Sequence, residues 1–423
     1  TKSFKFSWRH RGPMPVDLGA IGKQISEAVR TLDPEKIIKD AAVGSRRLQD
    51  RIREWTAGFA DDDERRPVNP VGLPTARRTE TFPVDIPDNA VLTIVNPAGS
   101  VTVLGGAESA SVEVTREAWA ATETEAELML GELQCCVSAD EARVEGSDAP
   151  RDVSVSVSTP QEWRDGVVDL VLRVPSGVPL KATTTFGDIR VEHTAARADL
   201  TSRSGRVSAN SAAGPVQAET VSGDIRLTDV AEVVTAASKS GDLFVERLGG
   251  GGELTTVSGQ LRVVGAEGQA LQIRSVSGGI TIERSGIQGP VDLSVETVSG
   301  DLRISHTMGA LRIKTVSGDA TAERLNATEI HAQSVSGDLG ISMDSTFSGT
   351  LTGKTVSGDV RVHIPDGSGF RFDLVTRTGN LSCDHPAPDT ERTQHGLRGT
   401  VGSGAGVVSV ETLSGDVEIT RYP

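Results

Sequence analysis

Aromatic side chains are scarce in this chain: Phe, Trp and Tyr together make up 3 % of its 423 residues. A core built without rings must be filled by Val, Leu, Ile and Ala, which suits a narrow interior between short strands. Cysteine is rarer still. Cys135, Cys136 and Cys383 are an odd number with one adjacent pair, so they make no disulfide framework and fit a reducing compartment. Neighbouring cysteines also bridge only with strain, which favours a structural role for Cys135 and Cys136 over a redox one. No uncharged apolar run reaches the length of a membrane span, and no secretory-type apolar segment opens the sequence. The expectation is a cytoplasmic protein, with peripheral membrane contact as the alternative.

Positive charge is lacking overall. The net charge is −15 at pH 7, and Thr1 to Gly58 carries twelve Lys and Arg against seven Asp and Glu, leaving −20 for the remainder. An acidic body without a basic footprint excludes nucleic acid as a partner. Catalytic signatures are lacking too. The histidines, His10, His193, His306, His331, His363, His385 and His395, are scattered without His-Glu-x-x-His spacing, and there is no Gly-x-Ser-x-Gly elbow or P-loop. No enzyme activity and no cofactor are expected.

What is present is a repeat. Ser-Gly-Asp, usually after Thr-Val or Ser-Val, recurs at intervals of about eighteen residues, with its glycine at Gly187, Gly205, Gly223, Gly241, Gly259, Gly278, Gly300, Gly318, Gly337, Gly358, Gly379 and Gly415. The last interval is twice as long as the others. A short fixed period marks a stacked, quasi-one-dimensional fold. Positions two and four after each glycine are apolar, as in Ile225 and Leu227 or Leu302 and Ile304, and so are positions seven and five before it, as in Leu293 and Val295. Alternation on both sides of a turn means two short strands per coil, each burying one face. The fold class expected is therefore mainly β: a single-stranded β-solenoid (β-helix) of about 18-residue coils, with a short N-terminal α-helical segment. Some thirteen coils at about 4.8 Å each would make a rod on the order of 60 Å long.

Position three before the glycine faces inward yet is Thr or Ser, as in Thr220, Ser238, Thr256 and Ser275, so its hydroxyl should bond its neighbour in the stack or the turn backbone. The glycines, among them Gly223, Gly241, Gly300, Gly318, Gly337, Gly358 and Gly415, read as structural turns with positive φ. The Asp that follows forms a column, Asp188, Asp224, Asp242, Asp301, Asp319, Asp338, Asp359 and Asp416. Such carboxylates could hold Ca²⁺, but a turn that accepts backbone hydrogen bonds is favoured. Arg206, Gln260, Gly279 and Asn380 interrupt the column, and Arg190, Arg226, Arg303 and Arg361 sit two residues beyond an Asp on the same strand face, where they can neutralise it.

Four segments follow. Residues 1–60 hold a strand with Phe4, Phe6 and Trp8 on one face, then amphipathic helices whose apolar residues include Ile21, Ile25, Ile52 and Trp55; residues 61–78, with Pro67, Pro70 and Pro74, read as a linker. Residues 79–178 read as a degenerate first part of the solenoid, with an early strand-turn-strand copy at Pro97-Ala98-Gly99 and an inserted helix near Thr122 to Leu133. Residues 179–423 are the regular array. The Val298-Ser299-Gly300-Asp301 type of turn, with the lead-in Val168-Asp169-Leu170-Val171-Leu172-Arg173-Val174-Pro175, resembles the bacterial putative adhesin, or toastrack, β-strand repeat family over residues 79 to about 423. That resemblance implies a right-handed β-solenoid, cell-envelope stress or surface roles, and no established catalytic residues.

The function expected is that of a non-enzymatic structural protein. It would self-associate through Phe4, Phe6, Trp8, Ile21, Ile25, Ile52 and Trp55 and through the solenoid ends, whose unpaired strands invite pairing, into a homo-oligomer, polymer or filament. The alternative is a scaffold for envelope-stress or membrane-associated partners, or a surface adhesin. Protein partners would then dock on the N-terminal helices, and the basic residues Lys36, Lys39, Arg46, Arg47, Arg51 and Arg53 would face an anionic surface.

Overall fold

A computed structural model describes residue 69 and residues 72–139, 152–159 and 165–422. The strand and helices expected in residues 1–60 lie outside the described residues. The coil around Gly223 shows the unit. Val216–Ser222 runs into the corner, Gly223 and Asp224 turn it, and Ile225–Val230 runs out. Each strand pairs in parallel with its counterparts in the coils before and after, Val216 with Ala198 and Val234, Ile225 with Val207 and Leu243. Equivalent side chains therefore stack on one another. Val207, Ile225, Leu243, Leu261, Ile280, Leu302, Ala320, Leu339 and Val360 make one such buried column.

The corner admits only glycine. Gly223 has φ +155°, and a Cβ placed on it would lie 2.1 Å from the carbonyl oxygen of Gly205 in the coil before. No side chain can occupy that space, because each corner NH must reach the neighbouring coil: Gly223 N donates to Ser240 O at 3.0 Å. The inward Thr and Ser behave as expected where the geometry allows. Ser202 donates to Gly187 O at 3.2 Å, Ser238 to Gly223 O at 3.4 Å and Thr376 to Gly415 O at 3.0 Å. Thr256, Ser275, Thr297 and Ser334 are buried without such a partner.

The stacking order departs from chain order at both ends. The Gly99 corner, expected as an early copy, stacks directly under Gly187, and strands Leu92–Ala98 and Val101–Gly105 pair with Leu180–Phe186 and Ile189–Glu192. On their other side they pair with Val153–Ser158 and Gly166–Val174, so the Gly99 coil is inserted between later residues. Antiparallel strands then close this end: Gln134–Ala139 on Val153–Ser158, Ala110–Trp119 on Gly166–Val174, and Thr75–Val84 outermost on Ala110–Trp119. That outer strand starts at Thr75, inside the segment read as a linker. Arg77 and Arg78 gave no apolar pattern there because both are exposed, and pairing with Ala110–Trp119 alone makes the segment a strand. Helix Glu123–Glu132 packs on these two strands as expected. Thr122 and Glu125 cap it reciprocally, with Oγ1 accepting from Glu125 N at 3.3 Å and Oε2 from Thr122 N at 3.2 Å.

The double-length interval before Gly415 holds no extra coil. Strands Gly406–Ser414 and Val417–Tyr422 insert between the Gly358 and Gly379 coils, pairing with Thr350–Ser357 and Val360–Pro365 on one side and Phe370–Thr378 and Leu381–Cys383 on the other. The excursion between them folds back as the antiparallel strands Gly396–Val401 and Glu391–Arg392. At this end His385 is buried edge-on to Phe370, 5.2 Å between ring centroids, and its Nε2 has no hydrogen-bond partner. Burial pushes its pKa down, against the opposing pull of the Ile364 backbone, Asp366 and Asp384. The folded state thus holds this imidazole neutral where the unfolded chain would protonate it. Stability from His385 is complete above the ordinary histidine pKa, about 6.5, and is lost as pH falls through its lower folded value. Hydrogen-exchange protection at residues 381–392, relative to the intrinsic rate at each pH, should therefore fall on acidification, and His385→Phe should abolish that fall.

Candidate functional site

The Asp column is fully engaged by the backbone. Asp188 Oδ1 accepts from Arg206 N at 2.9 Å, Asp224 from Asp242 N at 3.0 Å, Asp242 from Gln260 N at 2.8 Å, Asp319 from Asp338 N at 2.9 Å and Asp359 from Asp416 N at 2.9 Å. Each carboxylate thus ties its corner to the next coil. Among the described residues no group of three or more His, Cys, Asp or Glu could hold a metal ion. The expected Arg–Asp neutralisation holds at Arg361, which reaches Asp359 at 2.9 Å. Elsewhere it fails: Arg190 pairs with Glu192 at 2.5 Å, Arg226 lies 4.7 Å over the ring of Phe244, and Arg303 forms no ion pair among the described residues.

A second corner went unread in the sequence. Six residues after the turn glycine, His193, Ser211, Asp229, Arg247, Arg284, His306 and Arg324 all have φ between 53° and 55°, and Gly265 occupies the same place at 72°. This left-handed residue resets the strand's alternation, so positions five and six after the glycine both face out and position seven turns in, as with Glu246, Arg247 and Leu248. No shared residue type marks it. The one legible signal is the three-residue step between buried positions, such as Leu227 to Val230 and Val245 to Leu248, where a strand allows two.

The outward position three and this second corner together carry a line of cations. Along the strand register Arg226, Phe244, Arg262, Thr281, Arg303 and Thr321 are successive neighbours. The coils with Phe244, Thr281 and Thr321 at that position carry Arg247, Arg284 and Arg324 at the second corner. The coils cornered by Gly223, Gly241, Gly259, Gly278, Gly300 and Gly318 thus each present one arginine, alternating between two columns. Asp229, Glu246, Glu283 and Glu323 lie among them. Arg247 binds both Asp229 and Glu246, and its hydrogen bonds hold the Asp229 carboxyl below the usual range. Arg262 reaches Glu283 at 3.3 Å. Arg284, Arg303 and Arg324 are exposed and form no ion pair among the described residues, and Arg324 Nη1 lies 3.0 Å from His306 Nε2.

Where Gly265 replaces a side chain in the second column, a recess of about 700 Å³ opens. Arg247 and Arg284 flank it, Glu267 lines it, and Val264 and Ile287 supply apolar wall. Ile287 is 57 % exposed.

The sequence-selected residues fall in three places. Gly223, Gly241, Gly300, Gly318, Gly337, Gly358 and Gly415 all sit at corners with φ between 116° and 155°. Phe4, Phe6, Trp8, Ile21, Ile25, Ile52 and Trp55 lie outside the described residues. Cys135 and Cys136 lie unbridged on the strand that closes one end, and burial, then the neighbouring Cys136, pushes the Cys135 thiol up. No helix among the described residues is long and apolar enough to cross a membrane.

The family model described as Toastrack DUF4097 matches residues 169–252 and 292–420, together half of the chain. None of the curated proteins matches. Similar solved structures include a "putative cell adhesion protein" from Clostridium sporogenes ATCC 15579, at 8 % identity and TM-score 0.21, covering 82 % of this chain and 100 % of that one. Two described as a "putative adhesin" come from Bacteroides fragilis NCTC 9343 (10 % identity, TM-score 0.24, covering 84 % and 100 %) and Parabacteroides merdae ATCC 43184 (10 %, 0.22, covering 83 % and 97 %).

Proposed function

The chain belongs to the Toastrack DUF4097 family, and from that premise we propose that it is a non-enzymatic rod that binds a partner along its side, in the manner of an adhesin. The observation that carries this reading is the arginine line. A protein with net charge −15 places one arginine on each of the coils cornered by Gly223 through Gly318, and leaves Arg284, Arg303 and Arg324 without ion pairs among the described residues. Folding does not need these cations, because exposed single charges contribute little to stability. Binding can use them, since an exposed guanidinium without an ion pair can meet an acidic group of a partner. The solenoid supplies the rigidity that keeps the charges in line.

Self-association through residues 1–60 remains a second proposal. Among the described residues antiparallel strands cover the solenoid ends, and Thr75–Val84, Gln134–Ala139 and Glu391–Arg392 each pair on one side, so edges remain that a second copy could extend. Lateral binding has the stronger support.

The test is retention on a carboxymethyl matrix at low ionic strength and pH 7. A rod with a working cationic side is held despite its overall negative charge, and the variant with Arg226, Arg262, Arg284, Arg303 and Arg324 all changed to Gln elutes at clearly lower salt. Passage of the parent protein without retention, or identical elution of the two, would rule the reading out.

A further inference from the structure

The outermost strand at the N-terminal end of the solenoid is left half covered. We propose that residues 2–9 of the same chain, which lie outside the described residues, add to it as the next strand, with Phe4, Phe6 and Trp8 continuing the row that ends at Phe82. The proposal is independent of the lateral-binding reading, and it takes these three aromatics out of contacts between copies.

Three observations carry it. The first is the edge itself. Thr75–Val84 pairs with Ala110–Trp119 on one side and with no strand among the described residues on the other. Such an edge presents a row of unpaired N–H and C=O groups, ready for one more strand. Its even-numbered residues continue the core face of the sheet, with Ala76 opposite Ala118, Phe82 opposite Val112 and Val84 opposite Ala110. Val112 is fully buried, yet Phe82 is 39 % exposed. The core row thus runs out at an aromatic ring covered from one side. On the other face Thr75, Arg77, Thr79 and Thr81 are all exposed.

The second is the pattern of residues 2–9. Phe4, Phe6 and Trp8 fall on one face of an extended chain, and Ser3, Lys5, Ser7 and Arg9 on the other. This is the division of Thr75–Val84 itself, apolar toward the core and polar toward water. Paired with that strand, the segment lays rings beside Phe82, and aromatic pairs between neighbouring strands are favourable. Its length matches Thr75–Phe82 and leaves out Pro83, which has no N–H to donate.

The third is charge. Thr1–Arg11 contains Lys2, Lys5, Arg9 and Arg11 and no Asp or Glu. The helix Glu123–Glu132, packed on Thr75–Val84, exposes Glu123, Glu125, Glu127 and Glu132 and contains no Lys or Arg. Arg77, Arg78, Arg116 and Arg173 do not offset these four, because Glu80, Glu113 and Glu117 lie among them. A basic segment meets an acidic end of the rod.

The tether, residues 10–74, selects the same chain over a second copy. A flexible connection of that length keeps its ends within about 50 Å, equivalent to a local concentration on the order of a millimolar. Another molecule at micromolar concentration competes poorly with that.

The experiment compares hydrogen exchange in the full chain, in a variant beginning at His10 and in F4S/F6S/W8S. In the parent, the amides of Thr75–Phe82 that point away from Ala110–Trp119 should be protected at least about a hundredfold over their intrinsic rates, and both variants should lose that protection. The coils from Gly205 to Gly318 should stay protected in all three, since they contact only their own neighbours. A synthetic peptide of Thr1–Arg11 should restore protection to the variant beginning at His10, and light scattering should give parent and variants the same number of copies per particle. Free-edge amides that exchange at intrinsic rates in the parent, or that stay protected in both variants, overturn the proposal. So does a parent particle of two or more copies that dissociates in the variants, because the edge would then be filled by a neighbouring molecule.

Discussion

Gly300→Ala should destabilise the solenoid by on the order of 3–5 kcal/mol, among the largest effects a single methyl group can have in this molecule. Gly300 has φ +132°, a region essentially closed to residues with a side chain, at a cost of about 1–3 kcal/mol. The added Cβ would also lie 2.3 Å from the carbonyl oxygen of Gly278 and 2.7 Å from its carbon. Both are backbone atoms, so no side chain can swing aside. The coils would have to part, weakening the bonds from Gly278 N to Ser299 O and from Ile280 N to Asp301 O, each worth about 1 kcal/mol. Ser299, one residue away, is exposed, and Ser299→Ala should stay within about 0.5 kcal/mol of the parent. Denaturant unfolding of both variants measures the contrast. If Gly300→Ala unfolds with the parent, the corner-stacking account is wrong.

Ending the chain at Ser403 should release far more than the residues it removes. Val408, Val410, Val417 and Ile419 are each fully buried, and burial of such a side chain is worth about 1.5–3 kcal/mol. Because their strands are inserted out of order, their loss opens a slot one coil wide between the Gly358 and Gly379 corners. Leu351, Val360 and Val362 are uncovered on one side, and Phe370, Phe372 and Leu374 on the other. The contact of the Tyr422 hydroxyl with Met343 O goes as well. Hydrogen exchange should therefore become fast across residues 366–403, while coils from Gly205 to Gly318, which contact only their own neighbours, keep their protection. Continued protection of Phe370–Cys383 would mean that the Gly379 coil docks directly on Gly358, and the inserted pair would then be dispensable.

These two cases also divide what could be read in the chain from what could not. Gly300 announces itself, because a corner repeated in every coil must use the same residue each time. The inserted strands leave no such mark. Gly406–Tyr422 carries an ordinary repeat, and nothing local says whether it stacks after Gly379 or before it. The helix at Glu123–Glu132 was legible from its cap and its break in alternation. The strand at Thr75 was not, since its pattern is set by a partner more than thirty residues away. The candidate site shows the same limit. Arg226, Arg262 and Arg303 sit at a readable position, but Arg247, Arg284 and Arg324 join them only because a left-handed residue resets the pleat. Many residue types can take that conformation, so composition does not mark it.

The period, the glycine corner, the inward and outward faces and the thin aliphatic core are all written into the residue pattern. Each of these is a short-range demand repeated in every coil, and repetition makes a weak local signal certain. The order in which the end coils stack, how the ends are covered, and the alignment of alternate arginines along the rod come from the folded arrangement. Those features depend on which coil lies beside which, a matter of pairing between strands far apart in the chain, and no single coil contains that information.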